Sequence, residues 1–259
     1  MKYRILIMGL PGSGKTTLAR ELTKDLKAYW LNADKIRKKY NDWDFSKNGI
    51  IRQVKRMKSL SDKSNKKYVV ADFVCPLHIQ TKIFKPNFIV WMDTIKKSRF
   101  SSMNKIFKKP KKWNLRVTSK DYKLWKIPIL DHFLNFKWSN RRETAQMLGR
   151  FQPFHVGHMQ LFYEILKKKE QVLIMVKDVY RVGDNPFKFS QIKKKISNDL
   201  NPFKKRIKII LAPNISNIFF GRKVGYKIKK INLPKQIQKI SATKIRKYLR
   251  SKNKLKNFK

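Results

Sequence analysis

The chain has 259 residues, 41% of them hydrophobic, and a formal charge of +48 from 64 basic and 16 acidic residues. That length suits one large α/β domain or two small ones, and the apolar content excludes wholesale disorder. No run of about 18 apolar residues occurs, so no transmembrane span is expected, and a single cysteine excludes an internal disulfide and fits a reducing cytoplasm.

The opening stretch MKYRILIMGLPGSGK passes from a short apolar run directly into a glycine-rich loop, and reads as a buried strand over residues 3–8 rather than a signal peptide. Residues 9–16, GLPGSGKT, satisfy GxxxxGK[ST]. Glycines let backbone N–H groups close around phosphates, Lys15 reaches the β and γ phosphates, and Thr16 holds Mg²⁺. The candidate nucleotide-binding residues here are Gly9, Gly12, Ser13, Gly14, Lys15, Thr16 and Thr17, with ATP and Mg²⁺ as the expected ligands. A helix is expected over 17–27 and a second strand over 28–31. Asp34 follows that strand in LNADKIR, placed either to orient Mg²⁺ or a substrate hydroxyl, or to cap a helix. Arg37 is placed either to grip an anionic substrate or to face water. A cationic helix is expected over 45–60, then strands over 67–73 and 88–93, a basic lid or solvated helix over 99–112, a short strand over 115–118, and a helix over 121–136 broken near Pro128.

Residues 139–143 are polar and charged and read as a junction. After a short apolar strand over 144–148 comes GRFQPFHVGH, with Gly149, Arg150 and Phe151 in its turn and His155 and His158 at the start of an apolar helix. Two histidines three apart on a helix start face the same way, and neutral imidazoles beside free backbone N–H groups suit a polyphosphate. No further ligands stand at structural-zinc spacing. A strand over 171–176, a loop over 179–189, a cationic helix over 191–200 and a strand over 206–211 follow. The run 221–226, GRKVGY, precedes an alternating stretch over 226–231 that reads as a partly exposed strand. Finally ISATKIR places Ser241 and Thr243 at a helix start, with Arg246 one turn in, a pattern suited to β and γ phosphates.

The first half resembles the adenylylsulfate kinase branch of the P-loop kinases through GLPGSGKTTLA, LNADKIR, DWDFS, ADFVCP and WMDTI. The resemblance implies that Asp34 helps activate a substrate hydroxyl and that Arg37 binds a sulfonucleotide. Where that family carries Asp-Arg and then Glu-Asn after the FS pair, this chain has Gly49-Ile50 and Arg52-Gln53. The resemblance therefore implies phosphoryl transfer from ATP, but not adenylylsulfate as the acceptor. The second half resembles the HxGH nucleotidyltransferases, and GRFQPFHVGH is similar to the archaeal type of nicotinamide-mononucleotide adenylyltransferase. This implies that His155 and His158 contact the nucleotide phosphates and that ISATKIR binds a triphosphate, from ATP or CTP. Asn185-Pro186-Phe187 is similar to a segment of those enzymes, but Ile192 stands where they carry a phosphate-binding arginine.

The expectation is thus an α/β protein of two domains: a P-loop kinase fold with a parallel sheet over 1–138 and a Rossmann-like nucleotidyltransferase fold over 143–259. Catalysis is expected from Lys15, Asp34, His155 and His158, with Thr16 and Asp34 at the metal. The expected partners are small phosphorylated substrates, non-specific polyanions drawn by the charge, and no membrane. A nucleic-acid end-processing kinase and a non-catalytic nucleotide-binding module are the alternatives.

Overall fold

The computed structural model describes residues 2–219, 221, 225 and 227–255. The chain divides into two compact units, Met1–Asn135 and Phe136–Lys259, so the break falls a few residues before the polar stretch 139–143.

In the first unit the elements run β1 (Tyr3–Met8), α1 (Lys15–Asp25), β2 (Tyr29–Asn32), α2 (Ala33–Lys39), α3 (Lys47–Lys63), β3 (Tyr68–Asp72), α4 (His78–Phe84), β4 (Phe88–Met92), α5 (Ser101–Ile106), β5 (Leu115–Val117), α6 (Tyr122–Trp125) and α7 (Ile127–Phe133). The strands form one wholly parallel sheet in the order β2-β3-β1-β4-β5. Their near-continuous apolar runs are explained by helices on both faces. Alternate residues of β1 separate accordingly. Ile5 and Ile7 pack with Leu18, Leu22, Val90, Trp125 and Ile129. Leu6 and Met8 pack on the opposite face with Val54, Met57 and Phe84. Cys75 belongs to this second cluster, and burial pushes its thiol up to about 12. The expected break near Pro128 is present, with that proline in the first turn of α7. Within the basic stretch 99–112 only α5 is helical, and none of its residues is buried.

The second unit runs β6 (Ala145–Gly149), α8 (Val156–Leu166), β7 (Val172–Lys177), α9 (Phe189–Asp199), a 3-10 turn (Asn201–Arg206), β8 (Ile207–Ala212), α10 (Lys235–Gln238) and α11 (Ala242–Ser251). Its three strands are parallel in the order β6-β7-β8. The strand expected over 226–231 does not form: residues 227–231 have no regular structure, and Tyr226 lies outside the described residues. Ile228 finds no surface to cover, being 79% exposed, and the interleaved lysines favour water. Most of the 221–226 run also lies outside the described residues.

Candidate functional site

Each unit carries its own cluster of chemical groups at the carboxyl ends of its parallel strands, where open α/β sheets place ligands. In the first unit, β1 runs into the loop 9–14 and out through α1. Gly14 sits at φ 90°, and an added Cβ would lie 2.4 Å from the Trp125 ring. Only glycine fits both constraints. Gly9 is similarly closed in by the Met92 carbonyl, 2.5 Å from where its Cβ would be. Ser13 is buried in the loop and its hydroxyl has no partner, an orphan polar atom of the kind a ligand oxygen satisfies. The Lys15 ammonium donates to the Leu10 carbonyl at 2.9 Å. Burial lowers its pKa to about 8, against the opposing pull of Asp72 and Asp34.

Asp72, at the end of β3, is the residue the sequence reading missed. Its carboxylate accepts from the Thr16 hydroxyl at 2.8 Å, from Trp30 Nε1 at 2.7 Å and from Asn32 Nδ2 at 3.0 Å. Burial raises its pKa, and these donors together with Lys15 oppose the shift. Thr16 and Asp72 are adjoining hard oxygen donors, a set that fits Mg²⁺, which keeps several waters and needs only one or two protein ligands. Asp34 was expected at the metal, but no bond joins it to Thr16. It lies exposed in the first turn of α2, and the cap of that helix is Asn32, whose Oδ1 accepts from Lys35 N at 2.9 Å. Arg37 is also placed differently from expectation. It is buried, donates to the carbonyls of Asp42 and Asp44 at 2.9 and 3.0 Å, and lies over the Phe45 ring. It holds the loop between α2 and α3 in shape. Thr17 is exposed on the first turn of α1.

In the second unit His155 is the N-cap of α8 and His158 its third residue. Their rings stack at 3.8 Å between centroids. His155 Nδ1 accepts from Gly157 N at 3.1 Å, and His158 Nδ1 accepts from His155 N at 3.3 Å. With both Nδ1 atoms accepting, each neutral ring carries its proton on Nε2 and has a donor left. Burial lowers both pKa values, and the neighbouring His155 helps bring His158 to about 4. Phe151, expected at the nucleotide, is instead buried with its ring edge against His158 and across Gly149. It packs the pair in place. Arg150 is exposed at the end of β6.

The structure brings GRFQPFHVGH and ISATKIR together, through contacts that differ from those expected. Arg246 is buried; its NH1 donates to the Gln152 carbonyl at 2.5 Å, its Nε to Asp184 at 2.8 Å and its NH2 to the Thr243 hydroxyl at 3.2 Å. All three nitrogens are engaged within the protein, so Arg246 fastens the turn, α11 and the 179–188 loop rather than standing open to a phosphate. Asp184 also accepts from Arg250 at 2.5 Å. The Gln152 side chain exchanges two hydrogen bonds with the Phe187 backbone, at 2.8 and 2.9 Å. Ser241 is the N-cap of α11, and its hydroxyl makes no capping bond. Ile192 is a core residue, 3% exposed.

The sequence profile of the family described as AAA domain matches residues 5–74. A nicotinamide-nucleotide adenylyltransferase of Thermoplasma volcanium is 39% identical over 36 residues, 14% of this chain and 20% of that protein. The chain thus spans about a fifth of the length of the curated relative it matches. Among solved structures, an APS kinase of Mycobacterium tuberculosis is 21% identical, covering 51% of this chain and 98% of its own, with a TM-score of 0.42. The shikimate kinase of Acinetobacter baumannii is 17% identical, covering 54% and 97%, with a TM-score of 0.41. The first unit is a P-loop unit with a wholly parallel sheet. Among the described residues no helix is long and apolar enough to cross a membrane.

Proposed function

We propose that the chain is a two-site transferase. Its first unit moves the γ-phosphoryl of ATP to a small hydroxylated acceptor, and its second joins a nucleotidyl group, AMP or CMP, to a phosphorylated acceptor. The observation that carries the reading is the linked set Lys15, Thr16 and Asp72 beneath the glycine loop. Lysine and the loop amides stabilise the charge that spreads over the transferring group. Thr16 and Asp72 would hold Mg²⁺, which supplies charge neutralisation on the phosphates when bound. Asp34, exposed and close enough to raise the Lys15 pKa, would take the acceptor's proton.

The second activity is supported by the stacked, neutral histidine pair with its two available Nε2 donors. An acceptor phosphate oxygen would attack the α-phosphorus, the bond from that phosphorus to the β-phosphate oxygen would break, and pyrophosphate would leave. No protein nucleophile is needed. Imidazole N–H groups and the start of α8 would stabilise the developing charge. The phosphorylated product of the first site has the chemistry of the acceptor at the second, so the two reactions would run in sequence. A cytoplasmic setting and non-specific polyanion binding belong to the same reading.

The experiment is a mass-spectrometric turnover screen of the full chain with Mg²⁺ and ATP or CTP over a panel of hydroxylated and phosphorylated acceptors. Phosphorylated product should vanish in Lys15→Ala alone, and pyrophosphate in His158→Ala alone. Silence across the panel, with a nucleic-acid mobility shift that survives roughly 150 mM salt, would turn the assignment to nucleic-acid ends.

A further inference from the structure

We infer that Asn32 is the positioning residue of the first site: its single amide group holds the Asp72 carboxylate against Thr16 and caps the helix that carries Asp34. The inference rests on the kinase reading and names the residue that sets its two carboxylates together.

Asn32 ends β2, and the parallel register puts it beside Asp72, the last residue of β3. Both are buried, Asn32 at 7% exposure and Asp72 at 3%. Asn32 Nδ2 donates to both Asp72 oxygens, at 3.2 Å to Oδ1 and 3.0 Å to Oδ2. Trp30 stands two residues earlier on the same face of the strand, and its Nε1 donates to Asp72 Oδ1 at 2.7 Å. The Thr16 hydroxyl donates to Oδ2 at 2.8 Å. Asp72 is thus held from two directions, by the side chains of β2 and by the start of α1. A carboxylate this far from water stays charged and aimed only while such donors surround it.

The other end of the same amide belongs to α2. Asn32 Oδ1 accepts from Lys35 N at 2.9 Å and caps that helix, whose first turn carries Asp34. The amide is planar, so an oxygen fixed at the helix start fixes the direction of the nitrogen. The partners settle which end is which: the oxygen meets an N–H and the nitrogen meets a carboxylate. A flipped amide would set like against like at both ends.

A cap alone does not call for asparagine, since serine and aspartate cap about as well. Serine has no amide to offer Asp72. Aspartate would put an anionic oxygen where Nδ2 now stands, 3.0 Å from a buried carboxylate. Of the three, only asparagine supplies an acceptor for the helix and a donor for the acid beside Thr16. Asn32 acts through Asp72 and Asp34 and needs no contact of its own with Mg²⁺ or substrate. Without it the Asp72 carboxylate turns and the helix bearing Asp34 loses its cap.

The test uses the full chain. Mn²⁺ binding in the presence of AMPPNP is read by electron paramagnetic resonance, which needs no turnover. Asn32→Ser keeps a capping oxygen and gives up the amide. It should weaken Mn²⁺ binding by about tenfold and leave the urea midpoint of the first unit near that of the wild type. Asn32→Ala gives up both groups and should add a lower midpoint to the same binding loss. Trp30→Phe takes one donor from one oxygen and should weaken binding less than Asn32→Ser. Reciprocally, Asp72→Asn weakens the anchor of the Asn32 amide, so hydrogen exchange at Lys35 N–H should quicken. Unchanged Mn²⁺ binding in Asn32→Ser, or binding losses that merely follow the urea midpoints, overturns the inference and leaves the kinase standing. So does unchanged exchange at Lys35 in Asp72→Asn, which decides the matter if Asn32→Ser does not fold. Weakened Mn²⁺ binding in Asn32→Ser, with no ADP formed by the wild type over the acceptor panel, sinks the kinase and keeps the positioning role. A wild-type chain that binds no Mn²⁺ with AMPPNP overturns both.

Discussion

The first unit surrounds its phosphate loop with charged groups: a buried lysine, a buried aspartate and, one helix away, arginines bonded to aspartates. The second unit offers two uncharged imidazoles wedged between phenylalanine rings and a helix start. Charge acts at a distance and is screened by salt, whereas a neutral donor acts only where it is already aimed. The first arrangement therefore tolerates small displacements, and the second depends on the packing that holds its rings.

The sharpest way to break this contrast is to remove one working group from each unit. Lys15→Ala should lower phosphoryl transfer by on the order of 10²- to 10³-fold and leave pyrophosphate release unchanged. His158→Ala should do the converse by a similar factor. Loss of both activities in either variant would mean that the two sites do not work separately. Next in size is Asp72→Asn, which removes the charge, halves the oxygen ligands beside Thr16 and turns one carboxylate oxygen into an N–H group facing the donors that it now accepts from. Phosphoryl transfer should fall by about tenfold or more and need higher Mg²⁺ for half-maximal rate, read from a metal titration.

Smaller effects separate the units by stability. Gly14→Ala drives a methyl into Trp125 at a left-handed position and should destabilise the first unit by about 2 kcal/mol, seen in urea unfolding. Asp184→Asn takes the anion from Arg246 and Arg250. Because Asp184 is 42% exposed on its side chain, the loss in the second unit should be about 1 kcal/mol. Acid should divide the units without any mutation. His155 and His158 bind protons less readily folded than unfolded, so their contribution is complete above the ordinary imidazole value of 6.5 and is lost as pH falls toward about 4. Asp72 has the opposite sign: its raised pKa is a cost at neutral pH that eases on acidification. Far-ultraviolet and tryptophan signals followed from pH 7 to 4 should show the second unit weakening first.

What the sequence revealed depended on how local the causes are. The glycine loop, its lysine and the strand before it were legible because all the constraints lie within a dozen residues. The histidine pair was legible for the same reason. Asp72 was not: its partnership with Thr16 exists only because β3 pairs in parallel with β1, bringing together residues 56 positions apart. Asp34, nearer in the sequence, drew the metal role instead. Arg246 was read as a phosphate ligand because nothing near it signals Asp184, 62 positions away, or the Gln152 carbonyl, 94 positions away. The strand over 226–231 was read from alternation alone, and alternation does not provide a neighbouring strand to pair with.

Cys75 offers a consequence of a different kind. It is the chain's one thiol, 2% exposed in the wall of a pocket of the first unit beside Leu77 and His78, and burial pushes its pKa up to about 12. A thiol reagent in neutral solution meets little of its surface and almost no thiolate, so labelling is slow until that unit opens. Labelling rate is thus a stopwatch for one half of the molecule and deaf to the other. Run with ATP, and then with a substrate of the second site, it would tell whether occupancy of either half slows the opening of the first.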